Sequence, residues 1–80
     1  MFKIMLIKVG GRGENAPKVQ EILTDYGTII ETRLGLHQND GNESKGLIIL
    51  RLEADKEESI KELYEKLNAL HNVVVTVVDI

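Results

Sequence analysis

The spacing of hydrophobic residues switches between two periods along the chain, and the order of these switches constrains the fold more than any other feature. Strand-like alternation occurs in four segments rich in β-branched and apolar residues, 2–9, 28–36, 46–54 and 73–80. Two intervening segments carry apolar residues at helical spacing, Val19, Ile22, Leu23 and Tyr26 in the first and Ile60, Leu63, Leu67 and Leu70 in the second. The predicted order of elements is therefore βαββαβ.

This order predicts an α+β fold, a ferredoxin-like sandwich in which two helices cover one face of a four-stranded antiparallel sheet of order 4-1-3-2. Asn15 is the expected N-cap of the first helix, and Gly27 is expected to end that helix in the left-handed conformation. Asp55 and Glu58 resemble a capping box at the start of the second helix. A polar loop is predicted at 37–45. We expect residues 1–80 to form a single domain.

Composition narrows the function classes. The chain has 80 residues and no cysteine, which excludes disulfides, cysteine-ligated metals and thiol nucleophiles. A net charge of −3 argues against broad binding to nucleic acids or anionic membranes. The start of the sequence lacks the pattern of a signal peptide, so we expect a cytoplasmic protein. A core this small gains little stability alone, which favours a partner chain.

The apolar pattern itself predicts self-association. The first and last strands and the start of the third are apolar on both faces, whereas helices are expected on only one face of the sheet. An uncovered apolar sheet face usually marks a partner surface. We expect a homodimer or homotetramer that buries the open face or the fourth-strand edge, with Val73, Val75 and Val77 at the interface. The alternative is a monomer in which these valines are simply exposed.

A glycine-rich turn between the first strand and the first helix is the candidate ligand site. Glycines allow close backbone approach, a helix N-terminus favours an anion, and Arg12 adds a charge-assisted hydrogen bond. An amino acid, with both charges, would also meet Glu14. The candidate ligand-binding residues are Gly10, Gly11, Arg12, Gly13, Glu14 and Asn15. The alternative interpretation is a simple connector, because the spacing fits neither a P-loop nor a dinucleotide fingerprint.

No catalytic set of residues emerges, so we do not expect an enzyme. Ser44 and Ser59 lack a His/Asp partnership, and His37 and His71 lack a second ligand at metal spacing. We expect no cofactor and no metal site, although a site assembled across an oligomer stays open. Acylphosphatases and RNA-recognition modules share the predicted fold. The arginine and asparagine chemistry of the former has no evident counterpart, and the third strand has no aromatic residue for base stacking.

Several segments together resemble a known family. These are Ile30–Leu36, the polar hairpin after it, Gly46–Leu52, and the spacing of Leu63, Leu67, Leu70, Val73 and Val75. Over nearly its whole length the chain is similar to the iron-only hydrogenase system regulators, which are stand-alone ACT-like proteins related in fold to the C-terminal domain of nickel-responsive regulators. The helix Val19–Gly27 also looks like the first helix of ACT domains.

The resemblance implies an oligomeric, non-enzymatic ACT-like regulatory module that senses a small ligand. ACT domains often bind amino acids at the loop between the first strand and first helix, which matches Gly10–Asn15 here. The nickel-binding cysteine and histidine cluster have no counterpart, and no DNA-binding arm precedes Phe2. Nickel binding and direct DNA binding are therefore not expected. The alternative function is a structural protein–protein interaction domain that binds no ligand.

Overall fold

The computed structural model of the chain describes residues 1–10, 15–40 and 43–80, and for residues 38–40 and 43–44 it describes the backbone only. Over these residues the chain forms four strands and two α-helices, and their bounds are β1 Lys3–Val9, α1 Ala16–Asp25, β2 Ile30–Asp40, β3 Glu43–Leu52, α2 Glu57–Asn68 and β4 Val73–Asp79. A short 3₁₀ turn, Gly27–Ile29, connects α1 to β2. Neither helix is long and apolar enough to cross a membrane.

The strands form one antiparallel sheet in the order β2-β3-β1-β4. The predicted ferredoxin-like α+β fold and its strand order are confirmed. The central strands are β1 and β3, and the edges are β2 and β4. The β2–β3 hairpin is longer than predicted, because pairing continues from His37–Gly46 to Asp40–Glu43 through residues assigned to a polar loop.

Both helices pack on the same face of the sheet and enclose the core. Val19, Ile22 and Leu23 of α1 join Ile60, Leu63 and Leu67 of α2 in one cluster of buried apolar side chains. The sheet contributes the alternate residues of its strands, namely Met5, Ile7, Val9, Ile48, Leu50, Leu52, Val73 and Val75. The six helix residues are those at the predicted helical spacing, so the inner stripes of α1 and α2 follow the sequence pattern.

The helix ends differ from the sequence prediction. Lys56, not Asp55, is the N-cap of α2, and no side chain caps it. Gly27 begins the 3₁₀ turn, and the α1 C-cap is Tyr26 with φ −107°. The left-handed residue lies elsewhere, at Asn72 with φ 62°, in the turn between α2 and β4. Asparagine tolerates this conformation better than most residues, which suits it to a tight turn before a strand.

Candidate functional site

The predicted ligand loop is described only at its two ends, since Gly11, Arg12, Gly13 and Glu14 lie outside the described residues. The Gly10 N–H donates a 2.8 Å hydrogen bond to the Asn72 carbonyl. The Asn15 side-chain amide donates to the His71 carbonyl. Both ends of the loop are thereby attached to the turn between α2 and β4. The binding role of Gly10–Asn15 remains a prediction.

Asn15 begins α1, but its side chain does not act as a conventional cap. Its carbonyl accepts the first helical hydrogen bond, from the Val19 N–H at 2.9 Å. Its amide reaches the neighbouring turn instead of the helix, and no side chain caps this end of α1. Pro17 lies in the first turn, where a missing N–H costs no helical hydrogen bond. The role of Asn15 is therefore to join two loops at this end of the sheet.

A groove with a volume of about 270 Å³ lies between α1 and the base of the β2–β3 hairpin. It is on the helix-covered side of the sheet, next to the residues at which the predicted ligand loop begins and ends. We call it the α1–hairpin groove. Its lining residues are Val9, Ala16, Val19, Gln20, Gly35, Leu36, His37, Gly46 and Ile48.

The groove exists because two glycines occupy the helix-facing side of the hairpin. Gly35 pairs with Ile48, and Gly46 pairs with both Val9 and His37. Paired residues of adjacent strands share a face, so side chains at 35 and 46 would point toward α1. A Cβ atom built at Gly35 meets no other atom within 4 Å. The missing side chains leave the space that forms the groove.

The lining of the groove is chemically simple. Most of it is aliphatic or glycine, and polar side chains enter from two residues, Gln20 of α1 and His37 of β2. Among its described lining residues there is no Asp, Glu, Lys or Arg. The described lining therefore offers apolar contact and hydrogen-bonding groups, but no carboxylate or ammonium group to pair with a charged ligand.

The opposite side of the sheet carries an apolar surface that no element of the described chain covers, which we call the open face. Its side chains fall in rows across the strands. The register gives three rows, Thr32-Arg51-Ile4-Val78, Leu34-Ile49-Leu6-Thr76 and Leu36-Leu47-Lys8-Val74. Phe2 and Ile80, joined by two backbone hydrogen bonds, extend the face at one end.

Large apolar side chains on the open face are markedly exposed. Val74 is 55% exposed, Leu34 52% and Leu36 49%. At one end of the face the Arg51 guanidinium lies 4.6 Å from the centre of the Phe2 ring and makes a 3.0 Å ion pair with Glu31. Charged groups thus occupy the ends of the face, while its middle row is apolar from β2 through β1.

Two of the three predicted interface residues of β4 are buried in the core of the chain itself. Val73 and Val75 pair with Val9 and Ile7 and are buried beneath the helices, 5% and 6% exposed. Val77 belongs to the same face and is 36% exposed at its end. Since the core of the chain itself encloses Val73 and Val75, they are not available to a second copy. The β4 residues on the open face are Val74, Thr76 and Val78.

Other predicted site classes gain no support from the geometry. In the described part of the chain, no group of three or more His, Cys, Asp or Glu side chains is arranged to hold a metal ion. His37 belongs to β2 and His71 to the α2–β4 turn. The expectation that the protein binds no metal remains a prediction.

Comparison with known proteins identifies the fold. No protein-family model matches the sequence, and the search of curated proteins finds no match either. Among solved structures, the chain is similar to the uncharacterized protein TM1266 from Thermotoga maritima, at 27% identity and a TM-score of 0.74 over 96% of this chain and 92% of that one. The chain also matches an ACT domain over its whole length, so it has an ACT-like fold.

Two further structures show how this fold is used in other proteins. The ACT domain from GTP pyrophosphokinase of Chlorobium tepidum matches 100% of this chain and 88% of its own, with 14% identity and a TM-score of 0.70. CPII from Thiomonas intermedia K12, a nitrogen regulatory PII-like protein bound to ADP, AMP and bicarbonate, matches 99% of this chain and 89% of its own, with 21% identity and a TM-score of 0.65. At these identities the likeness concerns the fold.

The α1–hairpin groove was not predicted from the sequence, although one signal for it was present. Gly35 and Gly46 interrupt segments that otherwise favour strands, and an isolated glycine within a strand often marks a bulge or a close approach to the backbone. The pairing of the two strands then decides that both glycines face α1. The sequence alone does not give that register, so it does not show that both glycines lie on the same face of the sheet.

Proposed function

We propose that residues 1–80 form one non-enzymatic, ACT-like regulatory domain that self-associates and senses a small ligand. The observation that carries the proposal is the open face. Its apolar side chains form a continuous surface from β2 through β3 to β1, and a patch of this kind on a small protein usually marks an interaction site. Covering it would add the apolar burial that a core of this size lacks.

The distribution of charged residues on the open face supports a second copy of the chain as the partner. Leu34, Ile49 and Leu6 form the apolar middle of the face, and charged groups such as Lys8 and Arg51 lie in the outer rows. A second copy placed across a two-fold axis would bring two apolar centres together. A dimer or tetramer of this kind is the proposed working form.

The sensing part of the proposal is supported by the fold and by a candidate site. CPII, which has a similar fold, was solved with ADP, AMP and bicarbonate bound. In this chain the α1–hairpin groove is lined by Val9 and Ala16, the residues on either side of the predicted loop Gly10–Asn15. A thermal-shift panel of amino acids, divalent metals, ADP, AMP and bicarbonate tests for a ligand. If none stabilises the protein, the alternative function is favoured, a structural interaction domain without a ligand.

A link to iron-only hydrogenase regulation rests on the sequence resemblance alone. TM1266, which shares 27% identity with this chain, is itself uncharacterized and adds no function. Inspection of the genes beside the coding sequence tests this link. Hydrogenase or hydrogenase-maturation genes in the same cluster would support it, and their consistent absence would argue for another pathway.

Light scattering over a concentration series tests self-association. The wild-type chain is expected to show at least the mass of a dimer at micromolar concentration. Leu34→Lys should shift the equilibrium to monomer, because an ammonium buried without a partner is costly. Asn68→Lys adds the same charge on an exposed position of α2 and should leave the mass unchanged. A wild-type chain that stays monomeric at high concentration would refute the proposed assembly.

A further inference from the structure

We propose that the α1–hairpin groove is a binding site for a compact, uncharged aromatic or branched aliphatic molecule that carries one hydrogen-bonding group. This inference rests on the sensing part of the proposed function and is independent of self-association. It concerns the helix-covered side of the sheet, whereas the open face lies on the other side. The site consists of residues in α1, β1, β2 and β3 that the structure describes.

The shape of the groove sets the size of the ligand. Folded proteins pack their interiors to crystal-like density, so an unfilled space beside core residues needs a reason. Here Val9, Val19 and Ile48 are buried core residues that also line the groove. Its volume of about 270 Å³ lies just below the range of about 300–1,000 Å³ typical of drug-sized ligands. A single ring system or a short branched chain is therefore the appropriate size.

The chemistry of the lining sets the class of the ligand. Apolar side chains and glycine backbone surround most of the space, and its described lining includes no Asp, Glu, Lys or Arg. A phosphate or free carboxylate placed here would lose water, and no Lys or Arg among the described lining residues would pair with it. The side-chain amide of Gln20 offers both a donor and an acceptor at the edge. These features favour an uncharged ligand and disfavour a nucleotide.

Gly35 and Gly46 leave space for a ligand, because neither residue has a side chain that would fill the groove. Gly35 has no atom within 4 Å of a built Cβ, and the contacts of Gly46 begin at 3.9 Å. Both positions therefore accommodate a Cβ atom without a clash. A side chain at position 35 would project into the groove from the sheet. We expect a substitution at this position to fill the binding space while the fold is retained.

Titration with indole, followed by backbone amide NMR of the whole chain, tests the site. Indole is uncharged and aromatic and carries one N–H donor. Saturable shifts are expected at Val19, Gln20, Gly35 and Gly46. Gly35→Leu should weaken indole binding by about tenfold or more, because the leucine occupies the same space. Ala16→Leu fills the groove from the helix side and should weaken indole binding to a similar extent. This second variant tests the site independently if Gly35→Leu perturbs folding.

The controls separate this inference from the proposed function. Gly27→Ala removes a glycine outside the groove and should leave indole affinity within about twofold of wild type. Equal binding to Gly35→Leu and Ala16→Leu, shifts confined to the open face, or no saturable shift would each overturn the inference. ADP, used as a charged comparator, should not shift the groove amides. If ADP or an amino acid binds elsewhere while indole does not bind, sensing stands and the groove assignment fails.

Discussion

Gly35 and Leu36 are neighbours in β2 but belong to opposite surfaces of the sheet. Gly35 pairs with Ile48 on the helix-covered side, and Leu36 pairs with Leu47 on the open face. One short segment of an edge strand therefore contributes to both the α1–hairpin groove and the proposed self-association surface. Because side chains alternate along a strand, the side chains at positions 35 and 36 project to different surfaces, although Leu36 also lines part of the groove.

Val74 and Val75 provide the sharpest test of the face assignment. Val75→Lys should lower the free energy of unfolding by several kcal/mol, because it buries a charge in the core. Val74→Lys should change the free energy of unfolding of the monomer by only about 0.5 kcal/mol, since the side chain is exposed. Urea unfolding at a fixed low protein concentration measures both effects. Equal destabilisation by the two substitutions would contradict the assignment.

The substitution at position 74 also separates an effect on folding from an effect on self-association. Val74→Lys should remain folded by circular dichroism and yet sediment as a smaller species than wild type, because position 74 belongs to the open face. Thr24→Lys, on the exposed surface of α1, is the control and should leave the sedimentation coefficient unchanged.

The inner stripes of both helices and the strand order were predictable from the sequence, because burial under helices imposes a regular period. The face of the sheet on which each β2 side chain lies was not predictable from the sequence. Simple alternation predicts that Ile30, Thr32, Leu34 and Leu36 share one face, but the register shifts between Ile30 and Thr32. Ile30 packs against the core, whereas Leu34 and Leu36 lie on the open face. One extra residue in a strand inverts every later side chain, and hydrophobic spacing alone does not reveal it.

The β4 assignment failed for a related reason. Val73 to Val78 is apolar on both faces except at Thr76, so the sequence offers no polar marker to distinguish core from surface. The pairing of Val75 with Ile7 and of Val74 with Lys8 decides the question. The groove was missed because it is defined by absent side chains on two strands, and their alignment depends on tertiary structure. The ligand site at Gly10–Asn15 stays a prediction.

Gly35→Val is expected to stabilise the protein. Glycine within a strand is less favourable than alanine by about 0.5–1 kcal/mol, and β-branched residues suit strands better still. The built Cβ at this position meets no neighbouring atom within 4 Å, so the first atom of the new side chain introduces no clash. The midpoint of urea unfolding should therefore rise. A fall in the midpoint would show that the groove side of β2 is more crowded than the structure indicates.

Asn15→Ala is expected to lower the free energy of unfolding by about 1 kcal/mol, since it removes the hydrogen bond to the His71 carbonyl. Amide hydrogen exchange should also accelerate at Gly10, whose N–H bonds the adjacent Asn72 carbonyl. Thr24→Ala is the control. Its hydroxyl bonds the Gln20 carbonyl within the same helix turn, a local contact that adds little stability. Similar losses in both variants would argue against a connecting role for Asn15.

The contact between α1 and α2 at Tyr26 and Lys66 predicts a titration shift. The Lys66 ammonium lies 5.1 Å from the centre of the Tyr26 ring, and the Tyr26 hydroxyl donates a 3.3 Å hydrogen bond to a Glu62 carboxylate oxygen. Hydrogen bonding to Tyr26, followed by the charge interactions with Tyr26, Glu62 and Asp25, raises the pKa of Lys66 above its usual 10.5. The charged form of Lys66 is therefore favoured in the folded state.

The sign of the effect on stability follows from this direction. Since the folded pKa exceeds the unfolded value of 10.5, the contribution of Lys66 is fully present below that pH and is lost as pH rises through the folded pKa. Tyr26→Phe keeps the ring but removes the hydroxyl, and it should move the Lys66 pKa back toward 10.5. Carbon NMR of the lysine Cε measures the titration midpoint. Tyr64→Phe, at the other tyrosine, should leave the midpoint unchanged, and an unshifted midpoint in Tyr26→Phe would contradict the proposed role of the hydroxyl.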